Sequence, residues 1–281
     1  MSWRRASLVL TLFLSLAIPG IAFAQDPAPK PATDDDPDRD INVSQPDFTV
    51  ITLPTTLRVP KMRSAFRLTH RFHRSLGQGD FGDLADSFFG IDNGASVGLE
   101  YRFGVMRGLQ AGITRTSDRT INLFSQYNVW QQSGSSGKPV GVNLLFSVDG
   151  TDNFSDRFSP ILGLAISREL GTHGAVYFDP MWVHNANLFA TDGDDTDTFI
   201  AGIGLRLRVR PTLYLVGEIM PRAGYSPGVN QMSAAIEKRV GGHSFQINFS
   251  NGFQITPGQV TRGGTSNDDW YLGFNISRKF F

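Results

Sequence analysis

The chain has 281 residues, with 26 basic and 26 acidic side chains and no cysteine. Balanced charge speaks against nucleic-acid binding, which needs a basic patch or stripe, and the lack of cysteine excludes a disulfide framework or a thiolate metal site. After residue 24 no segment approaches the roughly 18 consecutive apolar residues of a membrane helix, so membrane residence would have to come from a closed sheet.

At the start of the chain, Arg4 and Arg5 precede an apolar stretch over residues 8–18, and Ala22, Phe23 and Ala24 form an A-x-A site. This pattern predicts a secretory signal over residues 1–24, cleaved before Gln25. A barrel precursor must cross unfolded, which favours the general secretory route over a twin-arginine one. Removal of this segment takes away two arginines and no acid, leaving a net charge of −2. The next stretch, DPAPKPATDDDPDRD, is rich in Pro, Asp and Ala and has little to bury. Together with a lead-in DFTVITL, residues 25–56 read as a disordered periplasmic leader. DFTVITL is faintly similar to the energy-coupling box of TonB-dependent receptors, but those barrels are larger and carry a plug domain for which this chain has no room.

From residue 57 to 281 the sequence is a succession of period-two segments separated by turn residues, which predicts an all-β fold. In residues 64–72, Phe66, Leu68, His70 and Phe72 share one face, with Arg67, Thr69 and Arg71 on the other. Residues 95–103 place Ala95, Val97, Leu99, Tyr101 and Phe103 opposite Ser96, Gly98, Glu100 and Arg102. Weaker alternation runs through residues 109–116, 120–130, 140–149, 159–170 and 175–183. Residues 199–209 set Phe199, Ala201, Ile203, Leu205, Leu207 and Val209 against Gly202, Gly204, Arg206 and Arg208. Weak alternation returns in residues 213–220 and 233–240, and residues 245–249 and 270–281 complete the set. About twelve strands near the ten-residue crossing length predict an antiparallel up-and-down transmembrane β-barrel. Long links alternate with short ones, as in such barrels, except for the short link at residues 117–119 and a long one at residues 132–138.

Aromatics gather toward strand ends, at Phe66, Phe103, Trp130, Phe158, Trp182, Tyr214, Phe253, Trp270 and Phe280, where rings would sit at the headgroup layers. A soluble sandwich or lipocalin-like barrel would invert the faces, with apolar side chains inside. The strand number, the loop asymmetry and the aromatic end favour the membrane. Phe280 and Phe281 form the expected assembly signal. Phe280 shares a face with Trp270, Leu272, Phe274 and Ile276, and Phe281 falls out of phase.

The polar face carries Arg67, Arg71, Glu100, Arg102, Asp149, Glu169, Arg206, Arg208, Glu218, Glu237 and Arg239. In a narrow lumen these charges are expected to pair across the bore, because an unpaired ion in a poorly hydrated space is costly. The alternative is a selectivity filter. Inward glycines such as Gly98, Gly112, Gly141, Gly163, Gly202 and Gly204 would relieve crowding or allow curvature. Twelve strands lie between barrels that side chains fill and open porins.

No catalytic residue, metal site or cofactor is predicted. His70, His73, His173, His184 and His243 sit in no nucleophile motif, and His70 and His73 lie on opposite faces of one strand. The run DGDDTD at residues 192–197 resembles a calcium loop but lacks the spaced terminal Glu of an EF-hand.

The stretches RLTHRF at residues 67–72, GIDNG at 90–94, LEYRFG at 99–104, GITR at 112–115 and LGFNISRKF at 272–280 resemble an uncharacterised bacterial family of outer-membrane β-barrels, porin-like and without an assigned substrate. The resemblance implies fold and location. The sequence thus points to an outer-membrane barrel acting as a passive channel or binding barrel for small polar solutes, with membrane lipid and the barrel assembly machinery as partners. A structural or adhesive surface protein working through its external loops is the alternative, and a lipid-modifying barrel enzyme the third.

Overall fold

The structure, a computed structural model, describes residues 37–281 apart from Phe189, Asp192, Gly193, Asp195, Ser226 and Pro227, and apart from the side chains of Pro37, Phe89, Ile91 and Asp92. The predicted signal and residues 25–36 of the leader lie outside the described residues.

The strands, in chain order, are β1 Ser64–Ser75, β2 Ala95–Met106, β3 Leu109–Thr116, β4 Ile121–Trp130, β5 Gly141–Gly150, β6 Phe158–Glu169, β7 Gly174–Val183, β8 Thr198–Arg210, β9 Leu213–Met220, β10 Arg222–Gly224, β11 Gln231–Val240, β12 His243–Ser250 and β13 Tyr271–Lys279. β10 continues β9 beyond Pro221 and pairs with β8, so the two form one stave. Sequential staves pair antiparallel, and β1 pairs with both β2 and β13. Among the described residues this closes an antiparallel barrel of twelve staves.

The faces run opposite to those of a soluble protein. Leu99, Tyr101, Ile113, Phe146, Phe178, Ile203, Ile236 and Ile247 are exposed on the outer wall, whereas Arg67, Arg71, Arg102, Asn122, Gln126, Arg206, Glu237 and Asn275 are buried inside. An apolar exterior of this extent is stable only in lipid. One end of the barrel carries tight turns, and Gly108 (φ 81°) and Gly241 (φ 56°) supply the left-handed conformation that two-residue hairpins need. The link at residues 131–140 is longer but is pinched by a bridge between Ser133 and Lys138. The other end carries the long links, with the short link after β3 as the exception. One of the aromatics assigned to the headgroup layers, Tyr214, belongs inside, and another, Phe253, lies in the loop at the mouth rather than on the outer wall. Tyr214 is fully buried and donates to the Val43 carbonyl, and Phe253 packs on His73 and Tyr271 at the mouth.

The main correction concerns the leader. Residues 44–56, expected to be disordered, are folded within the barrel. Thr49 bridges Pro54 in a small hairpin closed by Val50 N donating to the Leu53 carbonyl at 2.7 Å and Thr55 N donating to the Phe48 carbonyl at 2.9 Å. Phe48, Val50, Ile51 and Leu53 are no more than 4% exposed. Each such side chain contributes about 1.5–3 kcal/mol on burial, enough to hold a segment whose polar composition upstream suggested otherwise. Val50, Ile51 and Leu53 pack against Ile161, Tyr177, Met181, Ile200, Val216 and Met220, apolar side chains that β6 to β9 turn inward.

From the opposite end the loop between β12 and β13 folds into the mouth. It contains a short helix, Pro257–Val260, whose Thr256 and Gln259 form a reciprocal capping box. Val260 joins the interior cluster. Gly98 makes room for this loop, since a Cβ there would lie 2.7 Å from Ile255 Cγ2.

Candidate functional site

The wall side chains form a cradle for the hairpin backbone. A buried backbone must find partners for its N–H and C=O groups, and with no strand beside it this hairpin finds them in side chains. Glu218 accepts from the N–H groups of Ile51 (3.0 Å), Thr52 (2.9 Å) and Leu53 (3.1 Å) at the tip. Arg206 donates to the Thr49 carbonyl at 2.8 Å, Gln246 to Val50 at 2.8 Å, Arg67 to Ile51 at 2.6 Å and Gln126 to Thr55 at 2.6 Å. Gln110 both accepts from Val59 N and donates to the Leu57 carbonyl.

The ionised groups divide between wall and hairpin. Arg206 and Glu237 pair at 2.9 Å with both side chains fully buried. Arg67 pairs with Asp47 of the hairpin segment at 3.3 Å, and Asp47 also accepts from Ser277. Arg102 pairs with Glu100 two residues earlier on the same strand at 2.9 Å, and its guanidinium lies between the rings of Phe48 and Phe124. Glu169 accepts from Asn42 and Gln45. Asp149 accepts from Asn122 and from Thr256 of the loop. Arg208 donates to the Pro211 and Thr172 carbonyls at the turn end, and Arg239 to the Gly241 carbonyl. The expected pairing between wall charges is kept by Arg206 and Glu237, whereas for Arg67, Asp149, Glu169 and Glu218 it is replaced by contacts to inserted chain, because the inserted segments occupy the space through which these charges would meet.

Glycines fit the same purpose. A Cβ at Gly202 would overlap Leu53. Gly202→Val should therefore push the hairpin tip off the wall at a cost of about 1–3 kcal/mol. Limited proteolysis in detergent should then cut within residues 37–60 faster than in the parent protein, with the barrel itself intact.

Between the hairpin and the loop lies a cavity of about 80 Å³, lined by Thr49, Thr52, Arg67, Arg71, Glu100, Arg102, Asn122, Met181 and Thr256 among others. Sequence reasoning found the arginines but missed Asp47, Gln126, Gln246 and Asn275, because inward amides look like ordinary lumen polarity until a backbone is placed beside them.

Histidines and loops offer less. His73 Nε2 lies 2.8 Å from Ser96 Oγ, yet among the described residues no carboxylate or amide hydrogen-bonds the other ring nitrogen, as a triad would require. His184 hydrogen-bonds Asp197 at 2.7 Å. Burial raises the Asp197 pKa, but the bonds from His184 and Asn185 more than offset this and hold the carboxyl below its ordinary range. Among the described residues no cluster of three or more acidic or histidine side chains is placed to hold a metal. Of the calcium-like run, Asp192, Gly193 and Asp195 lie outside the described residues.

Residues 47–280 match the model of a family described as Membrane bound beta barrel domain (DUF5777). The fold is similar to that of the NanC porin, with a TM-score of 0.53 at 5% identity, over 78% of this chain and 100% of that one. Looser likenesses, which carry no weight here, are to the outer membrane protein Omp33 of Acinetobacter baumannii (TM-score 0.40, 9% identity, 79% of this chain and 100% of that one) and to its outer membrane channel DcaP (TM-score 0.37, 10% identity, 78% and 96%). No curated protein matches the chain. The family match begins at Asp47 and so takes in the lumenal hairpin as well as the wall. The chain belongs to this family of membrane-bound β-barrels.

Proposed function

We propose that the protein is an outer-membrane barrel for small polar solutes whose charged lumen is closed at rest by its own chain. Its turn end and the segment before β1 would face the periplasm, and its long loops the outside. The observation that supports this most is the way the lumen is filled. The hairpin is held by hydrogen bonds and one ion pair from wall side chains, and it takes no place in the strand ladder. A permanent filler would need the same partners, but a hairpin tied to the wall by side chains alone, outside the strand ladder, can leave and return without breaking the sheet. Phe280 lies exposed on the outer face, where the assembly machinery would meet it, and Phe281 turns inward to pack against Phe48 at 6.5 Å between centroids.

Liposome swelling with solutes of graded size tests this reading. Proteoliposomes of the Glu218→Ala variant, whose hairpin tip has lost its acceptor, should swell with solutes of amino-acid size and resist disaccharides, and those of the parent should swell far more slowly. Failure to swell with any solute, at protein levels where folded barrel is confirmed by gel mobility, would count against a solute path.

A further inference from the structure

The cavity between hairpin and loop contains a cation that has no ion-pair partner among the described residues, with Glu218 acting on it only from beyond ion-pair distance. Arg71 is only 1% exposed, and its neighbours across the sheet are Ser96 on β2 and Gly273 on β13, neither of them acidic. One guanidinium nitrogen donates to Asn275 Oδ1 at 3.0 Å and to the His70 carbonyl at 3.1 Å, while Nε has no partner. Among the described residues Arg71 makes no ion pair, although the two other arginines lining the cavity are matched by Asp47 and Glu100. Gly273 accommodates the side chain, because a Cβ there would lie 2.8 Å from Arg71 Cδ.

Two further groups point the same way. The hydroxyls of Thr49 and Thr52, on the hairpin, are buried without a partner and belong to residues lining this cavity. Strands halfway round the barrel contribute Leu145, Ile161 and Met181 to the lining, so the space is cationic on one side and apolar on the other. At roughly 10–15 Å³ for each water, about 80 Å³ accommodates only a small guest.

We propose that this cavity binds a small amphiphilic oxyanion, a short-chain carboxylate whose head docks on Arg71 and the threonine hydroxyls and whose tail lies against Leu145, Ile161 and Met181. The inference rests on the small-solute reading and names its solute class. A guanidinium offers paired donors to a carboxylate, and a hydrogen bond to a charged group is worth about twice a neutral one.

The test is calorimetric titration of the full-length protein in detergent with butyrate, butanol and inorganic phosphate. Butyrate should bind at least tenfold more tightly than either comparison solute, and Arg71→Gln should lower its affinity about 10- to 100-fold, with Arg71→Lys intermediate. If Arg71→Gln fails to fold by gel mobility, Ile161→Phe keeps every charge and fills the space, and it should abolish butyrate binding. No butyrate binding to the parent protein, equal binding of butanol or phosphate, or undiminished binding in the folded variants would overturn the proposal. Swelling reports on the channel separately: butyrate binding without swelling sinks the solute path alone, and swelling without butyrate binding sinks the site alone.

Discussion

Glu218→Ala should turn a quiet barrel into a frequently conducting one. This carboxylate gathers three consecutive backbone N–H groups at the hairpin tip, all within 3.1 Å. Hydrogen bonds to a charged acceptor contribute about 1.5–3 kcal/mol each, and donors stranded in a dry interior add their own cost. Loss of even about 3 kcal/mol shifts the ratio of seated to released hairpin by roughly 150-fold. The strand ladder does not use Glu218's side chain, so the barrel should keep its folded gel mobility while planar-bilayer traces gain long openings. Glu218→Gln retains one acceptor oxygen but brings an NH2 group toward donors, and should fall between parent and alanine variant. Identical traces for all three proteins would show that the hairpin is a fixed filler.

Much of this arrangement was open to inspection in the sequence, and the part that was not has a physical reason. Residues 199–209 alternate cleanly because β8 faces lipid outside and turns Gly202, Gly204 and Arg206 inward. The alternation is weaker in residues 159–170, 175–183 and 213–220, where Ile161, Tyr177, Met181, Tyr214 and Val216 put apolar bulk on the inward face too. That weakening was itself a signal: inward apolar residues on neighbouring staves need an apolar partner, and FTVITL supplies it. Six residues are too few for periodicity to separate a buried hairpin from a lead-in, and the acidic stretch before them argued for solvent. Glu218 was recognised as a lumen charge, but its partners are main-chain N–H groups, which no comparison of side-chain charges reveals.

The pair formed by Arg206 and Glu237 makes the second large prediction. Both side chains are fully buried, Gln246 adds a hydrogen bond to the same carboxylate oxygen at 3.0 Å, and Tyr177 accepts from Arg206 at 3.0 Å. Removing one member leaves the other buried and uncompensated, a loss of about 3–5 kcal/mol. Arg206→Met and Glu237→Leu should each lower the unfolding free energy read from urea titration in detergent by an amount of that order, and the arginine change should also release the Thr49 carbonyl. Replacement of both by apolar residues removes the stranded charge, so the double variant should return to within about 1–2 kcal/mol of the parent in barrel stability. It should nevertheless conduct more than the parent, since the clamp on the hairpin is gone. A double variant as unstable as the two single losses added together would mean that the pair stabilises the wall directly. One that regains stability and stays silent would mean that Glu218 and Arg67 hold the hairpin without help from Arg206.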